Sequence, residues 1–121
     1  MRFILPREAL LKPLQQVVGV VERRQTLPVL SNLLVHVAGE TVTFTGTDLE
    51  VEMVARATAE DPRDGEVTIP ARKLFDICRA LPAGIKIDFK QNGERVTMSA
   101  GRSRYTLSTL PAAEFPQVDN I

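Results

Sequence analysis

The sequence is poor in cysteine and in aromatic residues. It holds one cysteine, Cys78, and no tryptophan, and aromatic residues make up 5% of its 121 positions. A single cysteine excludes an internal disulfide framework, which is typical of small secreted proteins. No apolar run approaches the roughly 20 residues of a membrane-spanning helix, and the N-terminus has no uninterrupted apolar signal segment. We therefore predict a soluble cytoplasmic protein without a membrane partner.

Motifs of catalysis are also missing. The sequence has no glycine-rich phosphate loop, no histidine or cysteine spacing of a metal site and no nucleophile elbow. His36, the one histidine, lies in an apolar run without a nearby serine, cysteine or second histidine, which predicts a packed or edge residue. Cys78 shares a predicted helix face with Leu74 and Leu81, so we interpret it as a small core residue. These absences argue against an enzyme and against a bound cofactor.

Charge of one sign is not in excess. Fifteen basic and fifteen acidic side chains give a formal net charge of zero, so no overall positive field indicates a nucleic-acid partner. Asp48, Glu50 and Glu52 alternate with apolar residues, which predicts three carboxylates on one strand face. Side chains two residues apart on a strand stand about 6.6–7 Å apart, too far for all three to ligate one metal ion. We interpret this stretch as a solvated acidic face.

One pattern occurs twice in the chain. A short apolar run, a proline and a helical pattern follow one another at Leu5-Pro6 and again at Ile69-Pro70. Proline suits both places because its fixed φ and missing N–H fit a strand end and a first helical position. Three runs with the alternation of half-buried strands follow each helix. The sequence therefore predicts an α+β fold of two β-α-β-β-β units, at about residues 1–60 and 66–121, with two helices packed on antiparallel sheets.

Both predicted helices have a basic polar face. The first spans residues 7 to about 21, and Pro13 inside it is expected to kink it or loosen its first turn. In the second helix Arg72, Asp76 and Arg79 lie at positions i, i+4 and i+7, with Lys73 beside them. Each helix should pack through its apolar face and leave its basic face in solvent.

Turn chemistry predicts one connector and one hairpin turn, and composition singles out the stretch that follows this turn. Residues 61–65 are rich in turn residues and are predicted to be a mobile connector, and Asn92-Gly93 predicts a type I′ hairpin turn. Beyond that turn, arginines accompany Tyr105 and Leu107 between residues 95 and 107. Arginine and tyrosine are enriched at protein interfaces, but a plain exposed hairpin explains this composition equally well.

Segments along almost the whole chain together resemble one family. They are residues 10–17, 26–30, 45–50, 70–73, 75–79, 101–104 and 107–113, including the strings LLKPLQQV, TGTDLE, PARK and LSTLPAA. The chain resembles the first domain of the bacterial DNA sliding clamp, the β subunit of DNA polymerase III. It departs from the family in its loops, where Glu22-Arg23 replaces a more glycine-like approach to Arg24 and residues 61–65 follow no fixed pattern.

The resemblance implies a non-catalytic ring of two chains joined head to tail, with three domains of the same duplicated fold in each chain. Such a ring encircles duplex DNA without reading its sequence and tethers the replicative polymerase, and its clamp loader and DNA polymerase III bind the full-length clamp. This chain would be domain 1, with domains 2 and 3 absent from it, and alone it would be a monomer. The helices would line the hole, and the stretch from Asp48 to Glu52 would repel DNA from the outer wall.

The resemblance also implies roles for individual residues, without a metal or other cofactor. The expected DNA-binding residues are Arg24, Arg7, Lys12, Arg72 and Arg79. The expected ring-interface residues are Lys73, Arg95, Arg102, Arg104, Tyr105 and Leu107.

Two other interpretations remain open from the sequence. The chain could be a free-standing interaction module that binds an acidic protein through its arginine hairpin. It could also be a small enzyme that uses Asp48, Glu50 or Glu52. The length of the native polypeptide tests the first interpretation, and turnover or metal-dependent melting tests the second.

Overall fold

The computed structural model of the protein describes residues 1–21 and 28–116. Within them the chain forms, in order, β1 (Arg2–Pro6), α1 (Arg7–Val18), β2 (Asn32–Ala38), β3 (Thr41–Thr47), β4 (Glu52–Thr58), β5 (Glu60–Arg63), β6 (Gly65–Pro70), α2 (Ala71–Ala80), β7 (Lys86–Asn92), β8 (Arg95–Ala100) and β9 (Ser103–Ser108). Short 3-10 helices cover Pro28–Ser31 and Ala112–Glu114. None of the helices in these ranges is long and apolar enough to cross a membrane.

The strands form two antiparallel sheets that exchange one strand between the two halves of the chain. Sheet A has the order β5-β1-β7-β8-β9, and sheet B has the order β4-β3-β2-β6. The first strand of each half therefore lies in the sheet built by the other half, because β1 pairs with β7 and β6 pairs with β2. The predicted α+β class and the two β-α-β-β-β units are confirmed. The exchange of first strands was not predicted.

One hydrophobic core joins the two sheets and the two helices. Phe3 of sheet A stacks on Phe89, with ring centroids 4.5 Å apart, and meets Phe44 of sheet B edge-on at 6.4 Å. The apolar faces of α1 and α2 complete this core. Cys78 is fully buried there, as predicted, and burial raises the pKa of its thiol to about 12.

The helices follow the prolines as expected. Leu10, Leu14 and Val17 of α1 are fully buried, and Pro13 lies inside this helix on the buried side. The helix ends at Val18, three residues before its predicted end, because it is followed by glycine, the poorest helix former after proline. Helix α2 starts directly after Pro70.

The connector at residues 61–65 is not the mobile loop that was predicted. Most of it belongs to β5, which pairs with β1 through Arg63 opposite Arg2 and Glu60 opposite Ile4. The register shifts between these two pairs, and Asp61 has a φ of 46°. Pro62 is compatible with this strand because β5 lies at the edge of sheet A, where a missing N–H costs little.

The hairpin between β7 and β8 turns one residue later than predicted. Asn92 pairs with Arg95, so the two-residue loop is Gly93-Glu94. Gly93 has a φ of 63°, and Glu94 is not among the residues with positive φ. A positive φ at the first central position alone is the pattern of a type II′ turn, not of type I′.

Candidate functional site

Helices α1 and α2 contact each other and expose one polar surface, which we call the helix surface. Its members are the exposed residues Glu8, Lys12, Gln15 and Gln16 of α1 and Arg72, Lys73, Asp76 and Arg79 of α2. Four of these side chains are cationic and two are anionic. The helix surface is therefore net basic, although the chain as a whole is neutral.

Three of the predicted DNA-binding residues lie on the helix surface. Lys12, Arg72 and Arg79 all have exposed side chains. Arg79 is partly held in place, since its guanidinium lies over the Phe75 ring, 5.2 Å from the centroid, and 4.0 Å from the Asp76 carboxylate. Arg24 lies outside the described residues.

Arg7 does not belong with these residues. Its Nε donates to the carbonyl oxygen of Cys78 at 2.8 Å, and one terminal nitrogen donates to the carbonyl oxygen of Arg79 at 3.2 Å. The other terminal nitrogen donates to Glu8 at 3.0 Å, and Glu8 also accepts from the backbone N–H of Gly84. Both contacts lower the pKa of Glu8. Since the Arg7 side chain is only 17% exposed and all of its nitrogens are engaged, we remove it from the DNA-binding set.

The arginines of the predicted ring interface occupy the β8–β9 hairpin. Arg95 starts β8, Arg102 lies in the turn and Arg104 lies on β9, and all three are exposed. Strand β9 is an edge strand of sheet A. Lys73, the other predicted cation of this set, is exposed on α2 and is not part of the hairpin.

The two apolar members of the predicted interface differ from the arginines. Leu107 is 5% exposed and packs in the core opposite Val96. Tyr105 is half-buried against the same core, opposite Met98. Both side chains point inward because they alternate with the outward residues of β9. Leu107 therefore supports the strand from beneath and offers little side-chain surface, and its place in the ring interface stays a prediction.

The predicted acidic strand face does not exist. Residues 48–51 form a turn, because the Asp48 carboxylate accepts the backbone N–H groups of Glu50 at 2.9 Å and Val51 at 2.8 Å. These bonds, the one from Val51 first, lower the pKa of Asp48. Strand β4 starts only at Glu52, and Leu49 stands in the turn with a φ of 80°. The alternation of acidic and apolar residues suggested a strand, but its first part, residues 48–51, forms an Asx turn.

The turn and the start of β4 expose the apolar side chains that the alternating pattern had placed on the face opposite the carboxylates. Leu49, Val51 and Met53 are 56%, 52% and 38% exposed. Their exposure had one signal in the sequence. They alternate with three carboxylates, and such a charged segment is also typical of solvent-exposed chain.

The acidic side chains and the histidine form no metal-binding cluster in the described part of the chain. No group of three or more histidine, cysteine, aspartate or glutamate side chains there could hold a metal ion. His36 is neither packed nor on an edge strand. It lies exposed on β2, an interior strand of sheet B, with Nδ1 3.0 Å from the Glu66 carboxylate.

The sequence did not single out the outward side of sheet A as a cationic surface. Arg63, Arg2 and Lys90 stand opposite one another on β5, β1 and β7. The sequence alone could not predict that these three residues are neighbours, because they are far apart in the chain and only the strand register brings them together.

A family model matches almost the whole chain. The model described as the N-terminal domain of the DNA polymerase III beta subunit matches residues 1–119. Among curated relatives, the beta sliding clamp of Pseudomonas putida strain KT2440 is 60% identical over 120 residues, which are 98% of this chain and 33% of that protein. The beta sliding clamp of Escherichia coli K12 is 56% identical over 121 residues, 99% of this chain and 33% of that protein.

Solved structures agree with this result. The DNA polymerase III subunit beta of Pseudomonas aeruginosa superimposes with a TM-score of 0.97 at 58% identity, over 99% of this chain and 33% of that one. The DNA polymerase sliding clamp of Caulobacter crescentus gives a TM-score of 0.96 at 40% identity, over 99% and 33%. The chain thus spans about a third of the length of these relatives. It belongs to the family of N-terminal domains of the DNA polymerase III beta subunit.

Proposed function

We propose that this chain is the first of three domains of a sliding clamp that encircles duplex DNA in the cytoplasm and tethers DNA polymerase III, without catalytic activity of its own. The observation that carries the proposal is the basic helix surface on a chain of this family. The relatives, three times as long as this chain, are beta sliding clamps. They do not favour a free-standing module that binds an acidic protein.

The helix surface would face the DNA. Lys12, Arg72 and Arg79 offer exposed cations. The Phe75 ring under the Arg79 guanidinium is buried and cannot reach a base edge. Contacts of this kind act on phosphates, carry no sequence information and weaken steeply with salt because condensed counterions are released. We place Arg24 in the same set by resemblance. A surface of this type can hold DNA and still slide along it.

The β9 edge would meet the second clamp chain. An edge strand presents unpaired N–H and C=O groups that can pair with a strand of another chain. Arg102 and Arg104 flank this edge and suit an acidic edge on the partner's third domain. Arg95 and Lys73 would add to the positive field at longer range. Since this partner surface would come from a third domain, the 121-residue chain alone should be monomeric.

The internal repeat supports a second contact surface at β4, with the next domain of the same chain. Strands β4 and β9 take the last position in the two β-α-β-β-β units, and each lies at an edge of its sheet. A head-to-tail ring needs two different edges on every domain. The exposed apolar residues Leu49, Val51 and Met53 adjoin the β4 edge, and we propose that the next domain of the same chain covers them.

Topological retention on DNA tests the ring. The full-length protein is loaded onto nicked circular duplex by the clamp loader of the same cell, and the circle is then cut once. A ring should stay on the closed circle and slide off the cut one, as followed by gel filtration. Equal retention on cut and uncut DNA would contradict encirclement.

Salt dependence of binding to a short duplex tests the helix surface. In the full-length protein, Arg72→Gln should reduce the slope of log K against log salt by up to about 0.9, the value for one phosphate contact in B-DNA. Arg56→Gln is the matched control, because Arg56 is an exposed cation on the outward side of sheet B. If both variants change the slope equally, the helix surface is not the DNA-facing side.

A further inference from the structure

Cationic side chains outnumber anionic ones on the outward side of sheet A, the side that faces away from the core, although the chain as a whole is neutral. Outward positions are assigned by alternation with the buried residues of each strand and by register. They include six cationic side chains and two anionic ones. The cations are Arg2, Arg63, Lys86, Lys90, Arg95 and Arg104, and the anions are Glu60 and Asp88.

The two anions are already occupied. The Arg2 guanidinium binds both oxygens of the Asp88 carboxylate, at 2.9 and 3.3 Å, and Lys86 binds Glu60 at 3.0 Å. In the described part of the chain, this leaves four cations of the surface without a carboxylate within ion-pair distance. They are Arg63, Lys90, Arg95 and Arg104.

The register of the strands concentrates this charge. Arg2 stands directly opposite Arg63 on one side and Lys90 on the other, so three cations form a row across β5, β1 and β7. Like charges directly opposite each other destabilise a sheet. Asp88 pairs with the middle cation of the row, and Asp61 adds a weaker attraction to the same cation. The row therefore costs stability, and an anionic ligand would remove that cost.

A groove of about 300 Å³ lies beside the row. Its cationic tips come from Arg2, Lys90 and Arg104, and its one carboxylate, Asp88, is paired with Arg2. Short polar side chains lie between them, those of Asn92, Thr97 and Ser99. None of the lining residues is apolar, so the groove does not suit an apolar ligand. Guanidinium forks, an ammonium group, hydroxyls and an amide can all donate hydrogen bonds to oxygen anions.

We propose that this groove and the adjoining cationic row bind an acidic peptide segment of a partner protein. The Arg2–Asp88 pair already displays the two-point contact by which guanidinium groups bind carboxylates. Single-stranded nucleic acid fits less well. Its sequence-tolerant binding relies on aromatic platforms, and the described phenylalanines and the single tyrosine all belong to the core side. This surface is separate from the helix surface. It shares Arg95 and Arg104 with the proposed ring interface, whereas Arg2, Arg63 and Lys90 belong to it alone.

The test measures binding of a fluorescein-labelled peptide that alternates glutamate and serine, by anisotropy at low salt with the purified protein. Lys90→Glu should weaken binding by about tenfold or more, because it reverses a charge inside the groove. Lys90 is chosen because it is exposed and is not part of the proposed ring interface. The matched control is Arg56→Glu, the same charge reversal at an exposed position of sheet B, which should change affinity less than about twofold.

Several outcomes would overturn the proposal. One is an equal loss of affinity in Lys90→Glu and Arg56→Glu, which would indicate unspecific electrostatics. Another is tighter binding of an oligothymidylate of the same length with the same sensitivity to Lys90, which would make the surface a nucleic-acid site. A third is the absence of measurable peptide binding. Lys90→Gln keeps the test valid if charge reversal impairs folding, and it should also weaken binding of the peptide.

Discussion

At the scale of single residues, Arg7 shows how a cation on a helix can serve the fold instead of a ligand. Its guanidinium reaches the last carbonyl groups of α2, which have no partner within the helix. A positive charge at this end also complements the helix dipole. The first residue of α1 thereby holds the last turn of α2.

We expect Arg7→Ala to lower the free energy of unfolding by about 1–3 kcal/mol, because it removes charged hydrogen bonds to partly buried carbonyl groups. Urea unfolding of the purified protein measures this change. Lys12→Ala, one turn further along α1 and exposed, is the control and should stay within about 0.5 kcal/mol of the parent protein. A fully stable Arg7→Ala variant would return Arg7 to the candidates for DNA contact.

Asp48 makes the stability of the protein depend on pH. Its folded-state pKa is lowered by the N–H groups of Val51 and Glu50, so the ionised carboxylate stabilises the turn above the unfolded pKa of about 3.9. This contribution is lost as the pH falls through the lower, folded-state pKa. Asp48→Ala should therefore destabilise the protein at neutral pH, and its difference from the parent should shrink below about pH 4.

Urea midpoints measured across that pH range test this expectation. Glu50→Ala is the control, since the Glu50 side chain makes no hydrogen bond within the described residues. Glu50→Ala should leave the urea midpoint at neutral pH close to that of the parent, because its side chain holds no group of the turn. A difference for Asp48→Ala that does not change with pH would mean that the carboxylate does not hold the turn.

At the scale of elements, Gly46 sets how closely β3 approaches α1. A Cβ atom there would lie 3.0 Å from the Val17 carbonyl oxygen, 3.2 Å from Leu33 Cδ2 and 3.3 Å from Val21 Cγ2. The first of these neighbours is backbone and cannot move aside without shifting the helix. The glycine is required by the packing, since its φ is not in the positive range.

We expect Gly46→Ala to destabilise the protein by about 1–3 kcal/mol, the usual cost of overpacking. Gly19→Ala is the matched control, because its Cβ would meet nothing closer than 3.9 Å and its φ is −62°. That substitution should be neutral or stabilising by up to about 1 kcal/mol. Thermal and urea unfolding measure both. Equal effects would show that β3 and α1 can separate at little cost.

The two helices and the strands after them could be predicted, because prolines at 6 and 70 and apolar periodicity are local signals. Strand β5 could not be predicted, because Asp61 and Pro62 indicate a turn. Only its pairing with β1 makes this segment extended. The turn at Asp48 was missed because carboxylate bonds to backbone N–H groups imitate alternation in the sequence. Long-range contacts also decided the role of Arg7.

At the scale of the whole molecule, the exchange of β1 and β6 makes the two halves depend on each other. Each sheet takes strands from both halves, so neither half contains a complete sheet. Fragments 1–64 and 65–121 should each lack cooperative unfolding, and an equimolar mixture should recover it. Circular dichroism during urea titration measures this. Cooperative unfolding of fragment 1–64 alone would contradict the dependence.

The exchanged strand also has a consequence for synthesis. Strand β1 ends at Pro6 and its central partner β7 begins at Lys86, so 79 residues, from 7 to 85, must be made between them. At about 5–20 residues per second, a ribosome needs roughly 4–16 s for that distance. During this time only the four-residue β5 becomes available to pair with β1. The first strand to leave the ribosome is thus among the last to be placed, and its open edge has to be kept from other nascent chains until β7 arrives.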